Sequence, residues 1–244
     1  MAEIRIGLSG YSYPEWQGEG LFYPAKLPKS QYLSFYASRY ATVEGVGMFK
    51  RMPAESTAHK IIKDCRSNFH LSPKIHQSVT HFKRLKPESY PIVEDFLKPL
   101  APLEAKQMLG PILIQLPPNF TLNLALLDAF LAAIPHRPGL KWAIEFRHPS
   151  WQTPDTEELL RQHAVAWVAD DTDDADAVIR ETADHHYIRL RKTDYPEDRL
   201  QLWSTRLREM AAHGHDSHVY VRHTDVVAPW LWADRLIELS RETP

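Results

Sequence analysis

The chain has 244 residues, 29 Lys and Arg against 31 Asp and Glu, a net charge of −2 and 43% hydrophobic residues, with a single cysteine at position 65. This is the composition of a globular protein able to bury a sizeable core, and it excludes a polybasic tail, an internal disulfide framework and a cysteine-rich metal site. No apolar run approaches the ~20 residues of a membrane span, and MAEIRIGLSG lacks a charged-then-apolar leader, so a cytoplasmic protein without membrane contact is the expectation.

Taken in chain order, a short apolar run at 4–9 reads as a strand and 31–39 as a helix; 42–48 and 55–65 repeat that pair. Strand patterns at 68–75, 111–116, 141–147 and 165–170 alternate with helical patterns at 92–106, 122–134 and 156–163. A weaker helical segment at 174–182 precedes a strand at 185–190, a helix at 198–213, a strand at 218–222 and a last helix at 229–240. The acidic run from Asp170 to Asp176 reads mainly as a solvated loop or helix start. Eight strand–helix alternations, with no glycine-rich dinucleotide fingerprint after the first strand, predict an α/β fold of the (β/α)8 TIM-barrel type, with residues 1–244 as one domain.

Strand side chains alternate faces, and the stretch WAIEFRH (142–148) shows what that implies. Trp142, Ile144 and Phe146 suit the helix-covered outside, so Glu145 and Arg147 point inward, toward the C-terminal mouth where barrels of this kind carry their sites. The same phase turns Lys74, Gln115, Asp170, Tyr187, Arg189, Tyr220 and Arg222 inward. A barrel interior built only for packing would hold layers of Val, Ile and Leu instead.

Several motifs resemble the domain-of-unknown-function family 72, also called YecE-like proteins. They are Gly7-Leu-Ser-Gly-Tyr11-Ser-Tyr13 with Phe22-Tyr23-Pro24, Thr42-Val43-Glu44, Phe69 to Lys74 with Thr80-His81, Gln115-Leu-Pro-Pro118, and Glu145, Arg147-His148 and Ser150-Trp151. The resemblance implies a TIM barrel. The chain departs from the family pattern at the ends of strands two, seven and eight, where Val46, Phe49-Lys50, Arg191-Lys192 and Arg222-His223-Thr224 stand. The family is often compared with metal-dependent apurinic-site endonucleases, a fold-level analogy that extends the substrate classes to phosphodiesters.

From the residues, the first expectation is an enzyme acting on a phosphorylated or carboxylated small molecule or a phosphodiester. Lys74, Arg147 and Arg189 bind the anion, Glu145 is the general base, and Gln115, Asp170, Tyr11, Tyr13 and Arg222 line the ligand site. No cofactor and no metal are expected. The alternative is a non-catalytic module binding nucleic acid or another polyanion through Lys50, Arg191, Lys192 and Arg222, a reading the overall acidity disfavours. At residue level, a Glu145–Arg147 ion pair that merely closes the barrel competes nearly evenly with a functional role. Ser150 is expected to cap the following helix, with Trp151 as packing.

Overall fold

The computed structural model describes residues 2–222 and 228–241. Its strands are β1 (Ile4–Ser9), β2 (Thr42–Gly45), β3 (His70–Pro73), β4 (Ile112–Gln115), β5 (Trp142–Glu145), β6 (Ala166–Trp167), β7 (Ala169–Asp171), β8 (His185–Leu190) and β9 (Asp216–Val221). The paired strands are parallel and form two sheets, β3-β2-β1-β9-β8-β7 and β4-β5-β6. The helices are α1 (Tyr32–Arg39), α2 (Glu55–Asp64), α3 (Tyr90–Leu97), α4 (Ala101–Ala105), α5 (Leu124–Ala133), α6 (Pro154–Gln162), α7 (Glu197–Ala212) and α8 (Pro229–Arg241). Among the described residues, no helix is long and apolar enough to cross a membrane.

Two seams join the sheets into the (β/α)8 arrangement. Between β3 and β4, isolated bridges pair Leu71 with Leu109 and Lys74 with Leu113, and Gly110 N–H donates to Leu71 C=O at 2.7 Å. Only glycine fits at 110, because a Cβ there would lie 2.3 Å from Ser72 Oγ. At the second seam β6 and β7 are halves of one barrel strand. Val168 N–H still donates to Ile144 C=O at 2.9 Å, but Trp167 N–H turns to Thr182 Oγ1, whose hydroxyl donates in turn to Val165 C=O.

Packing separates an outside from an inside. Trp142, Ile144 and Phe146 join the apolar layer between strands and helices, as their phase predicts. Leu113, Ala143, Ala166, Val168, Tyr187 and Tyr220 form a separate apolar plug inside the barrel. Above that plug the inward positions turn polar.

Four local expectations are corrected. The 92–106 helix is broken into α3, a 3-10 turn (Lys98–Leu100) and α4, because Pro99 and Pro102 withhold amide donors. Strand 42–48 ends at Gly45 and continues as a 3-10 turn, Val46–Phe49. The segment 174–182 forms no helix: Thr172 Oγ1 and Asp171 Oδ1 accept from the amides of Ala175 and Ala177, and these local bonds displace the helical ladder. The cap of α6 is Thr153, whose Oγ1 accepts from Thr156 N–H at 3.2 Å. Ser150 Oγ instead accepts from Leu122 N–H, while Trp151 is fully buried and donates to Phe120 C=O.

Candidate active site at the barrel mouth

Glu145 ends β5 and is buried at the top of the barrel interior. Its Oε1 accepts from Arg147 Nε at 2.7 Å and Arg191 Nη1 at 3.4 Å, and its Oε2 accepts from Arg189 Nη1 at 2.5 Å. Arg189, on β8, also donates to Glu44 Oε2 at 3.0 Å, and Tyr187 Oη donates to Glu44 Oε1 at 2.8 Å. Arg191 reaches both oxygens of Asp170 at 2.9 and 3.0 Å. Lys74 Nζ donates to Gln115 Oε1 at 2.6 Å and sits 4.1 Å from the centre of the Phe49 ring. Lys74, Gln115, Glu145, Arg147, Asp170 and Arg189 therefore come together at one end of the barrel.

Glu145 and Asp170, which share Arg191, differ in electrostatics. Burial penalises the Glu145 carboxylate, but Arg189, Arg147 and Arg191 outweigh that cost and hold its pKa well below the ordinary value. Asp170 is pushed up to about 6 by burial and then by repulsion from Glu145, with Arg191 only partly compensating. Lys74 is pulled down to about 8, first by burial and next by the Arg189 charge. Two groups thus titrate on either side of neutrality within one cluster.

Charge in the cluster does not cancel. Lys74, Arg147, Arg189 and Arg191 face three carboxylates, Glu44, Glu145 and Asp170, and Lys74 leans on a neutral amide. Arg147 uses only its Nε; its two terminal nitrogens make no hydrogen bond among the described residues. Arg147, Asp170 and Arg191 line a cavity of about 530 Å³ whose walls include Phe146, His148, Trp167 and Arg180.

Tyr11 and Tyr13 lie beside this cluster. They line a cavity of about 820 Å³ with Glu44, Met48, Lys50 and Met52, on the β1–β2 side. Tyr13 Oη donates to Ser9 C=O at 2.7 Å, and burial, then Glu44, push its pKa up to about 12. Arg222 is exposed and has no side-chain partner among the described residues; His223 and Thr224 lie outside them. Of the cations noted at the altered strand ends, Arg191 is paired with Asp170, and Lys192 with Asp171 and Asp176.

Glu44 and Arg191 join the cluster although the anion-site expectation does not include them: Glu44 stands only in a family motif and Arg191 only in the polyanion alternative, while strand phase turns both inward. Thr42 and Glu44 alternate with the outward Val43, and Arg191 continues the Tyr187–Arg189 face. Asp171, expected in a solvated run, is buried, bonding Trp203 Nε1 and Tyr195 Oη at 3.1 Å each.

A profile of the family described as "Protein of unknown function DUF72" matches residues 5–244. UPF0759 protein YunF of Bacillus subtilis (strain 168) is 28% identical over 174 residues, 68% of this chain but only 58% of that relative's length. The crystal structure of a DUF72 family protein from Thermotoga maritima MSB8 superposes with a TM-score of 0.84 at 23% identity, covering 98% of this chain and 100% of that one. A sugar phosphate isomerase/epimerase from Parabacteroides distasonis ATCC 8503 shares the fold more distantly, with a TM-score of 0.57 at 13% identity over 99% and 97% of the two chains. The match along nearly the whole sequence establishes that the chain belongs to the DUF72 family.

Proposed function

We propose that the barrel mouth is the active site of an acid–base enzyme for a small phosphorylated or carboxylated molecule. The observation that carries this reading is the pairing of an incompletely neutralised cation cluster with two groups, Asp170 and Lys74, whose proton affinities lie near neutrality. Arg147, with its terminal nitrogens unengaged beside the cavity, is the anion anchor. Lys74 adds the second positive charge. Asp170 exchanges the proton with substrate, a role it fits better than Glu145. Three arginines occupy the Glu145 oxygens and keep that carboxylate ionised, so it serves as the fixed charge that aligns Arg147, Arg189 and Arg191. Gln115 positions Lys74, and Tyr11 and Tyr13 bound the neighbouring cavity.

The polyanion-binding alternative has less support. Arg191 and Lys192 are committed to Asp170, Asp171 and Asp176, which leaves Lys50 and Arg222 as the exposed cations it could use. Sugar phosphates lead the compounds to test, because the Parabacteroides barrel bears a sugar phosphate isomerase/epimerase name. The test is a thermal-shift screen of sugar phosphates, phosphate, small carboxylates and short oligonucleotides on wild type and Arg147→Ala. A small anion that raises the wild-type melting temperature and fails to raise that of folded Arg147→Ala supports the reading. Stabilisation by oligonucleotides alone would overturn it.

A further inference from the structure

A second cluster of chemically capable side chains lies at the other end of the barrel, at the N-terminal ends of β8 and β9. His186 is the second residue of β8 and is buried; His215 immediately precedes β9 and is half-buried; Glu181 stands exposed in the segment leading into β8. His215 Nδ1 lies 3.2 Å from His186 Nε2, and one ligand atom from each of Glu181, His186 and His215 falls within 4.8 Å of the others. His213 stands next to Glu181, its Nδ1 4.0 Å from Glu181 Oε1, outside the three-residue cluster. The His213-Gly-His215 turn makes the cluster possible, since Gly214 takes φ of +88° and reverses the chain between α7 and β9.

The 3.2 Å separation is that of an imidazole–imidazole hydrogen bond and also admits a chelate. Four-coordinate Zn²⁺ with Zn–N bonds of about 2.0–2.1 Å requires nitrogen ligands about 3.3 Å apart, close to the separation of the two imidazoles. The donors are imidazole nitrogens and one carboxylate oxygen, the set that suits zinc over the oxygen-seeking Mg²⁺ and Ca²⁺.

We propose that Glu181, His186 and His215, with a water in the fourth position, form a zinc-class transition-metal site on the N-terminal face of the barrel. It is separate from the mouth and serves structure, because in this fold the N-terminal end holds stabilising features and the C-terminal end the chemistry. The ion ties the segment before β8 to the α7–β9 turn. No helical His-x-x-x-His spacing announces the site in the sequence; its ligands come from two chain segments that only the fold brings together.

The experiment is a calorimetric titration of chelator-treated full-length protein with ZnCl2, paired with the visible absorption of the Co²⁺ form. Variants are Glu181→Gln and His215→Gln, which spare buried His186, and Arg147→Ala at the mouth. One equivalent of Zn²⁺ is expected, with the intense d–d bands of four-coordinate Co²⁺ and a higher melting temperature in zinc. Each ligand variant should weaken binding by at least about tenfold, the lower end of what even an outer-shell loss costs a metal site. Arg147→Ala should leave it unchanged. Absence of a Zn²⁺ isotherm, a weakly absorbing six-coordinate Co²⁺ spectrum, or equal affinity in folded Glu181→Gln and His215→Gln would overturn the proposal.

Discussion

Asp170 and Glu145 sit on neighbouring barrel strands and bond the same Arg191, yet the protein treats them oppositely. Glu145 has Arg147, Arg189 and Arg191 on its oxygens; Asp170 has Arg191 and is half-buried. Because the folded pKa of Asp170 is raised to about 6, its ionised form opposes folding: its contribution is favourable below the unfolded value and is lost as pH rises through about 6. Asp170→Asn is therefore predicted to raise stability at pH 8 by up to about 2 kcal/mol and, if the proposed acid–base role holds, to abolish activity on the small-anion substrate. The gain over wild type should shrink as pH falls below about 6, which denaturant melts at two pH values would show. Glu145 behaves in the reverse sense. Its depressed pKa contributes stability that is present above the ordinary carboxylate range and lost at strongly acidic pH. Glu145→Gln leaves buried Arg189 under-neutralised, with an expected cost of about 3–5 kcal/mol at pH 7, measurable by urea unfolding.

Among the elements, those legible in the sequence are the ones whose neighbours in the chain decide them. All eight strand positions announce themselves as short apolar runs because parallel barrel strands are buried on both faces. The ends of β1 and β8 match the pattern residue for residue. Where side chains compete with the backbone ladder, the pattern misleads: Asp171, Thr172 and Thr182 bond nearby main-chain groups, unmake the 174–182 helix and split one strand into β6 and β7. Replacing Thr182 by Val is expected to lose both of its main-chain bonds and leave the buried Trp167 amide without a partner, costing about 2–3 kcal/mol in a thermal melt. At α6, Thr153→Ala should cost about 1 kcal/mol, and Ser150→Ala should not reproduce that helix-cap effect, because Ser150 holds Leu122 instead.

Across the whole molecule, the interior is layered along the barrel axis: a plug of Leu113, Val168, Tyr187 and Tyr220 lies below a charged mouth. Strand phase alone places Lys74, Gln115, Glu145, Asp170 and Arg189 on the inner face. The sequence does not show which carboxylate the cations neutralise, since that depends on contacts between strands far apart in the chain, such as Arg189 with Glu44. Phase marks Glu44 as inward, but its pairing with Arg189 and Tyr187 appears only in the fold, as do the three arginine partners of Glu145. The central claim is that this mouth binds an anion through Arg147 and Lys74, and the most direct test is the affinity of a phosphate monoester measured by calorimetry between about pH 7 and about pH 9. With Lys74 titrating near 8, wild-type binding should weaken steadily across that range, Lys74→Met should bind more weakly with little pH dependence, and Arg147→Ala should not bind measurably. Affinity that is independent of pH and equal in all three proteins would contradict the account.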